Sequence, residues 1–74
     1  MAKLTPIKPR NLLRILRGLG FELDHQKGSH TIWKHADGRL TVVPVHGNEE
    51  IRRGLLRKIL DDIGLSPDEF EKMR

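Results

Sequence analysis

Leu12, Ile15, Leu16 and Leu19 recur at the i, i+3, i+4, i+7 spacing that places them on one stripe of a helix. Pro9 suits the first helical position and Gly20 suits the end, so the pattern predicts a helix from Pro9 to near Gly20. Arg10, Arg14 and Arg17 fall on a second stripe, which makes the helix amphipathic with a cationic face. The period then changes. Phe21, Leu23 and His25 alternate with polar residues as far as Gln26, a Lys27-Gly28 turn follows, and Ser29 to Lys34 reads as a second strand. An Asp37-Gly38 turn signal precedes Leu40 to Val43, the most β-branched run of the chain, which Pro44 ends.

Helical spacing returns in Ile51, Leu55, Leu56, Ile59, Leu60 and Ile63, with a stop at Gly64. Glu49 and Glu50 suit the positive start of this helix, and Gly54 inside it costs about 1 kcal/mol relative to Ala. Ser66-Pro67-Asp68-Glu69 has the serine and glutamate of a capping box, with proline at the first helical position, and predicts a short third helix toward Lys72. The order is α-β-β-β-α-α. A three-stranded meander must bury its apolar side, so the expected fold is α+β, with helices packed on one face of an antiparallel sheet and the other face open. No repeat, linker or low-complexity segment suggests a second module, and residues 1–74 are read as a single domain.

With 74 residues the chain supports one core and no large enclosed cavity, so any chemistry is expected on an open surface. Cysteine is absent, which removes disulfides, thiolate metal sites and cysteine nucleophiles and fits a reducing cytoplasm. No stretch has the ~18 apolar residues of a bilayer span, nor does Met1 to Pro9 have the apolar run of a signal peptide; a cytoplasmic location is expected. Charge sharpens the picture. Residues 1–60 carry twelve basic and five acidic side chains, net +7, whereas residues 61–74 carry two and five, net −3. A polyanion would dock on the first part.

Four histidines invite a metal reading, yet none pairs at i, i+4 and no carboxylate stands at a recognisable offset. No metal or cofactor is expected. More informative is Lys27-Gly28-Ser29-His30, a tight turn that delivers an imidazole to the start of a strand beside a lysine and a hydroxyl. Cleavage of RNA by its own 2′-hydroxyl needs a proton removed there, a proton given to the 5′-oxygen, and stabilised negative charge on phosphate. Histidine titrates in the range for either proton role, and Lys27, Ser29 and the turn's N–H groups suit the phosphate. Alone, a Gly-Ser-His turn is a weak signal, since a histidine at a strand start is usually a polar edge residue.

The ordered blocks Leu19-Gly20-Phe21, Lys27-Gly28-Ser29-His30, Val43-Pro44-Val45-His46 and Gly54-Leu55-Leu56-Arg57-Lys58-Ile59-Leu60, with Phe70 after them, resemble the HicA family of toxin ribonucleases, or mRNA interferases. The resemblance implies a fold like the double-stranded RNA-binding domain, metal-independent cleavage of messenger RNA, a catalytic histidine at His30, and a HicB-type antitoxin as partner. The expected catalytic set is His30 with Ser29 and Lys27. The expected RNA-binding set is Gly28, Arg10, Arg14, Arg17, His46, Arg53, Arg57 and Lys58. His46 is read equally as facing substrate or capping its loop. Trp33 is read as core packing ahead of stacking on a base. The antitoxin is expected to cover His30 and the sheet face near Trp33. Two other readings stand beside this one, a non-catalytic double-stranded RNA-binding module and a protein-interaction domain.

Overall fold

The computed structural model describes residues 3–74. Its elements are α1 (Pro9–Gly18), β1 (Glu22–Lys27), β2 (His30–Lys34), β3 (Leu40–Pro44), α2 (Arg53–Ile63) and α3 (Pro67–Glu71). The strands form one antiparallel sheet in the order β1-β2-β3. This is the α+β arrangement expected from the sequence, consistent with the double-stranded RNA-binding-domain type.

Local chemistry sets several boundaries. Gly20, at φ 95°, ends α1 in a Schellman motif, with the Phe21 N–H donating to the Leu16 carbonyl and the Gly20 N–H to that of Arg17, both at 3.0 Å. The capping box of α3 forms as expected, with Glu69 N–H donating to Ser66 Oγ at 3.1 Å and Ser66 N–H donating to Glu69 Oε1 at 3.2 Å.

Alternation along β2 and β3 sorts their side chains. Thr31, Trp33, Thr41 and Val43 are buried beneath the helices, while His30, Lys34, Leu40 and Val42 on the other face are exposed. The inner face joins a core that includes Leu12, Leu16, Phe21, Leu56, Ile59, Leu60, Ile63 and Phe70. Its polar atoms are satisfied: Thr31 Oγ1 donates to the Val43 carbonyl at 2.6 Å, and Trp33 Nε1 donates to Thr31 Oγ1 at 2.9 Å.

Two local expectations are corrected. Helix α2 starts at Arg53, with Arg52 at its N-cap, and has no acidic residue in its first turn. Ile51 instead pairs with Ile7 across an isolated antiparallel bridge, the two N–H groups donating reciprocally at 2.7 and 3.1 Å, which spends Ile51 on the core in extended form. The alternation assigned to β1 also does not produce a half-buried strand. Phe21 is buried just ahead of it, whereas all six residues of β1 are exposed and a bulge between Leu23 and His25 interrupts its register. As an edge strand, β1 leaves its core contribution to the residue before it.

The β2–β3 turn is tied to the helix layer by Arg39. Its guanidinium donates to the Asp37 carboxylate at 2.8 Å and also to the Ile63 carbonyl at the end of α2. The Arg39 backbone N–H, and then its side chain, hold the Asp37 carboxyl below the usual carboxylate range. A carboxyl whose pKa is lowered by folding adds stability above its unfolded pKa, about 3.9 for Asp, and loses it as pH falls through the folded value. Asp37→Asn is therefore expected to be less stable than wild type at pH 6, with the gap closing below about pH 4. Urea midpoints of both proteins across that range check it.

Candidate active site

The β1–β2 hairpin closes through two residues, Gly28 and Ser29, with Lys27 and His30 paired across it. Gly28 has φ 61° and Ser29 does not have positive φ, the pattern of a II′ turn with glycine at its first central position. A Cβ would meet no neighbour at Gly28, so the backbone conformation alone favours glycine there. Pairing register puts Lys27, His30 and Pro44 side by side on the open face.

The His30 side chain is exposed, and its imidazole has no hydrogen-bond or ion-pair partner among the described residues. Helix α2 runs beside β3, so its Leu55, Lys58 and Asp62 border the same shallow depression as His30, Val42 and Pro44, a space of about 280 Å³. Lys58 pairs with Asp62 at 3.5 Å, four residues along the helix. Thus the depression presents the His30 imidazole and the paired Lys58 ammonium and Asp62 carboxylate around an apolar floor.

Ser29 does not stand free. Its Oγ lies 3.3 Å from His46 Nε2, seventeen residues away, and its carbonyl accepts from the Val45 N–H at 2.7 Å. These contacts bring His46 to the end of the sheet where His30 stands. Of the two readings of His46, the loop contact is thus present, and it fixes the imidazole beside the turn. His46 lines a second depression with Glu49, Glu50 and Arg52, which shares Pro44 and Leu55 with the first.

The remaining cations are spread more widely. Arg17 places its guanidinium 5.0 Å from the Trp33 ring centroid, on the helix side of the sheet and away from His30. Arg14 borders a separate depression with Leu19 and Met73, and Arg10 is exposed at the start of α1. Arg53 lies beside Lys3 and Arg52, and Arg57 is exposed on α2 without bordering the His30 depression. Trp33 is only 1% exposed and faces the helices, so base stacking is excluded, and a partner covering the open face would not reach it. Among the described residues no three His, Asp or Glu converge as metal ligands.

A family model described as the HicA toxin of bacterial toxin-antitoxin systems matches residues 9–65. The chain belongs to the HicA toxin family. The match spans four of the sequence blocks, including the Gly-Ser-His turn and the Pro44-Val45-His46 segment, while Phe70 lies beyond it. No match was found among curated proteins. As a HicA-family chain it is the toxin of a toxin–antitoxin system, and an antitoxin is its implied partner. Among the described residues no helix is long and apolar enough to cross a membrane.

Sequence reasoning found the turn and both histidines but missed the neighbours that complete the site. Leu55 was read as core, yet it is 37% exposed and forms the ridge between the two depressions. Arg52 was not in the expected RNA-binding set, although its neighbour Arg53 was. No local signal in the chain marks the Ser29–His46 contact.

Proposed function

We propose that this HicA-family toxin is a metal-independent endoribonuclease that cleaves messenger RNA in the cytoplasm and is restrained by a HicB-type antitoxin. The observation that carries this reading is the exposed His30 in a depression shared with Lys58, with Lys27 in register on the same face and the Ser29–His46 contact adjoining.

The chemistry needs two proton transfers. The 2′-oxygen attacks phosphorus as its proton leaves, the bond to the 5′-oxygen breaks as that oxygen gains a proton, and a 2′,3′-cyclic phosphate and a 5′-hydroxyl result. His30 carries one transfer, and His46, held on Ser29, is the second imidazole available for the other. Lys27 and Lys58 offset the charge that builds on the phosphate oxygens. An open site of this kind has no lid, so control from outside by a covering antitoxin suits it.

Purified protein is expected to cleave single-stranded RNA in excess EDTA and to leave cyclic phosphate ends. The check is mass spectrometry of the fragments. Activity that disappears on chelation and returns with a divalent ion would overturn the metal-independent mechanism.

A further inference from the structure

The geometry points to a second phosphate site, formed by Lys3, Arg52 and Arg53, one depression away from His30, which makes the substrate track one for single-stranded RNA. The inference rests on the ribonuclease reading for the identity of the polyanion. Its structural basis is separate.

Lys3, Leu4, Thr5 and Pro6 form one wall of a depression of about 480 Å³ whose other wall is Arg52 and Arg53 at the start of α2. Its charged side chains are all cationic, and none of the three has an ion pair among the described residues. The wall is built into the fold rather than draped on it. Leu4 and Ile7 are buried, Ile7 bridges to Ile51, and Arg74 donates to the Thr5 carbonyl at 2.9 Å and to the Pro6 carbonyl at 2.8 Å. Lys3 to Pro6 precede the segment that matches the family model, so this wall is not part of the shared pattern.

Shared lining residues order the depressions. Arg52 borders both the Lys3 depression and the one containing His46, and Pro44 and Leu55 join the latter to the His30 depression. Glu49 and Glu50 stand in the middle one, where they disfavour a phosphate but can accept from a base amino group above the apolar Pro44 and Leu55. Along the track the groups are therefore three unpaired cations, then carboxylates with an apolar floor, then the His30 imidazole beside the Lys58–Asp62 pair, where the ribonuclease reading puts the scissile phosphate. A strand whose phosphates occupy the two ends would lay a base in the middle. Only an unpaired base has its edge and face free for that.

The test uses the full chain carrying His30→Ala, which the ribonuclease reading predicts leaves RNA intact, and measures anisotropy of a fluorescein-labelled single-stranded octanucleotide at several salt concentrations. Adding Lys3→Ala and Arg52→Ala is expected to weaken binding and to reduce the slope of log K against log salt by about 0.7, the loss of one phosphate contact on a single strand. Arg14→Ala with Lys72→Ala removes the same charge from the α1–α3 side and is expected to change the slope by less. Circular dichroism confirms that each variant folds. An unchanged slope, equal effects of the two double variants, or absence of RNA binding at every salt would overturn the site. A duplex of the same sequence that binds equally well would overturn the single-strand assignment. The ribonuclease reading fails independently if wild type, like His30→Ala, leaves the octanucleotide uncut while the slope still falls.

Discussion

His30→Ala is expected to lower RNA cleavage by about 10²- to 10⁴-fold, the usual worth of a positioned proton-transfer group, while leaving the domain folded. The side chain is exposed and holds no partner among the described residues, so its removal takes nothing from the core. Single-turnover cleavage of a labelled oligonucleotide, beside thermal melts of both proteins, separates lost chemistry from lost structure. The same substitution is expected to abolish growth arrest when the toxin is expressed alone, and co-expression of the antitoxin is expected to do so for wild type. A folded His30→Ala protein that cleaves at the wild-type rate would remove His30 from the mechanism and leave His46 as the candidate.

Trp33→Ala is expected to cost about 3–5 kcal/mol, the range for deleting a large buried aromatic. Trp33 is among the largest fully buried side chains, its indole N–H donates to buried Thr31, and Arg17 covers its ring. A small domain has roughly 5–15 kcal/mol in total, and at 74 residues this one belongs near the lower end, so much of the population would unfold at 37 °C. Trp33→Phe keeps most of the packing, and Thr31 still donates to Val43, so its loss should be clearly smaller. Urea midpoints rank the three proteins. RNA affinity of the folded Trp33→Phe variant should match wild type, because the ring faces the helices and not the open surface.

How far the sequence could be read depended on the range over which each feature is determined. The end of α1 at Gly20 follows from neighbours within one turn, as does the capping box of Ser66 and Glu69. The Gly28-Ser29 hairpin is equally local, because a positive φ at one glycine and the strand period on each side suffice to place His30 at the start of β2. These features need no knowledge of distant residues, and through the Gly-Ser-His block they also brought the family within reach.

Other features waited for the tertiary structure because their energy comes from segments distant in the chain. Ile51 has helical spacing with the residues after it, yet pairing with Ile7 in an extended bridge satisfies both backbones, and this moves the start of α2 to Arg53. Leu23 alternates like a core residue but stays 47% exposed on a bulged edge strand, since helix α2 packs over β3 at the opposite edge of the sheet. Arg17 and His30 look like parts of one basic site in the sequence, while the pleat of β2 sends Trp33, and Arg17 with it, to the face opposite His30. By itself the sequence determined the order of elements, their caps and the turn that presents His30, all short-range consequences of backbone preference and hydrophobic period. Only the tertiary structure decided that His46 meets Ser29, that Lys58 shares the His30 depression and that Lys3 faces Arg52, because sheet register and docking of the N-terminal segment on α2 depend on burial summed over the whole core.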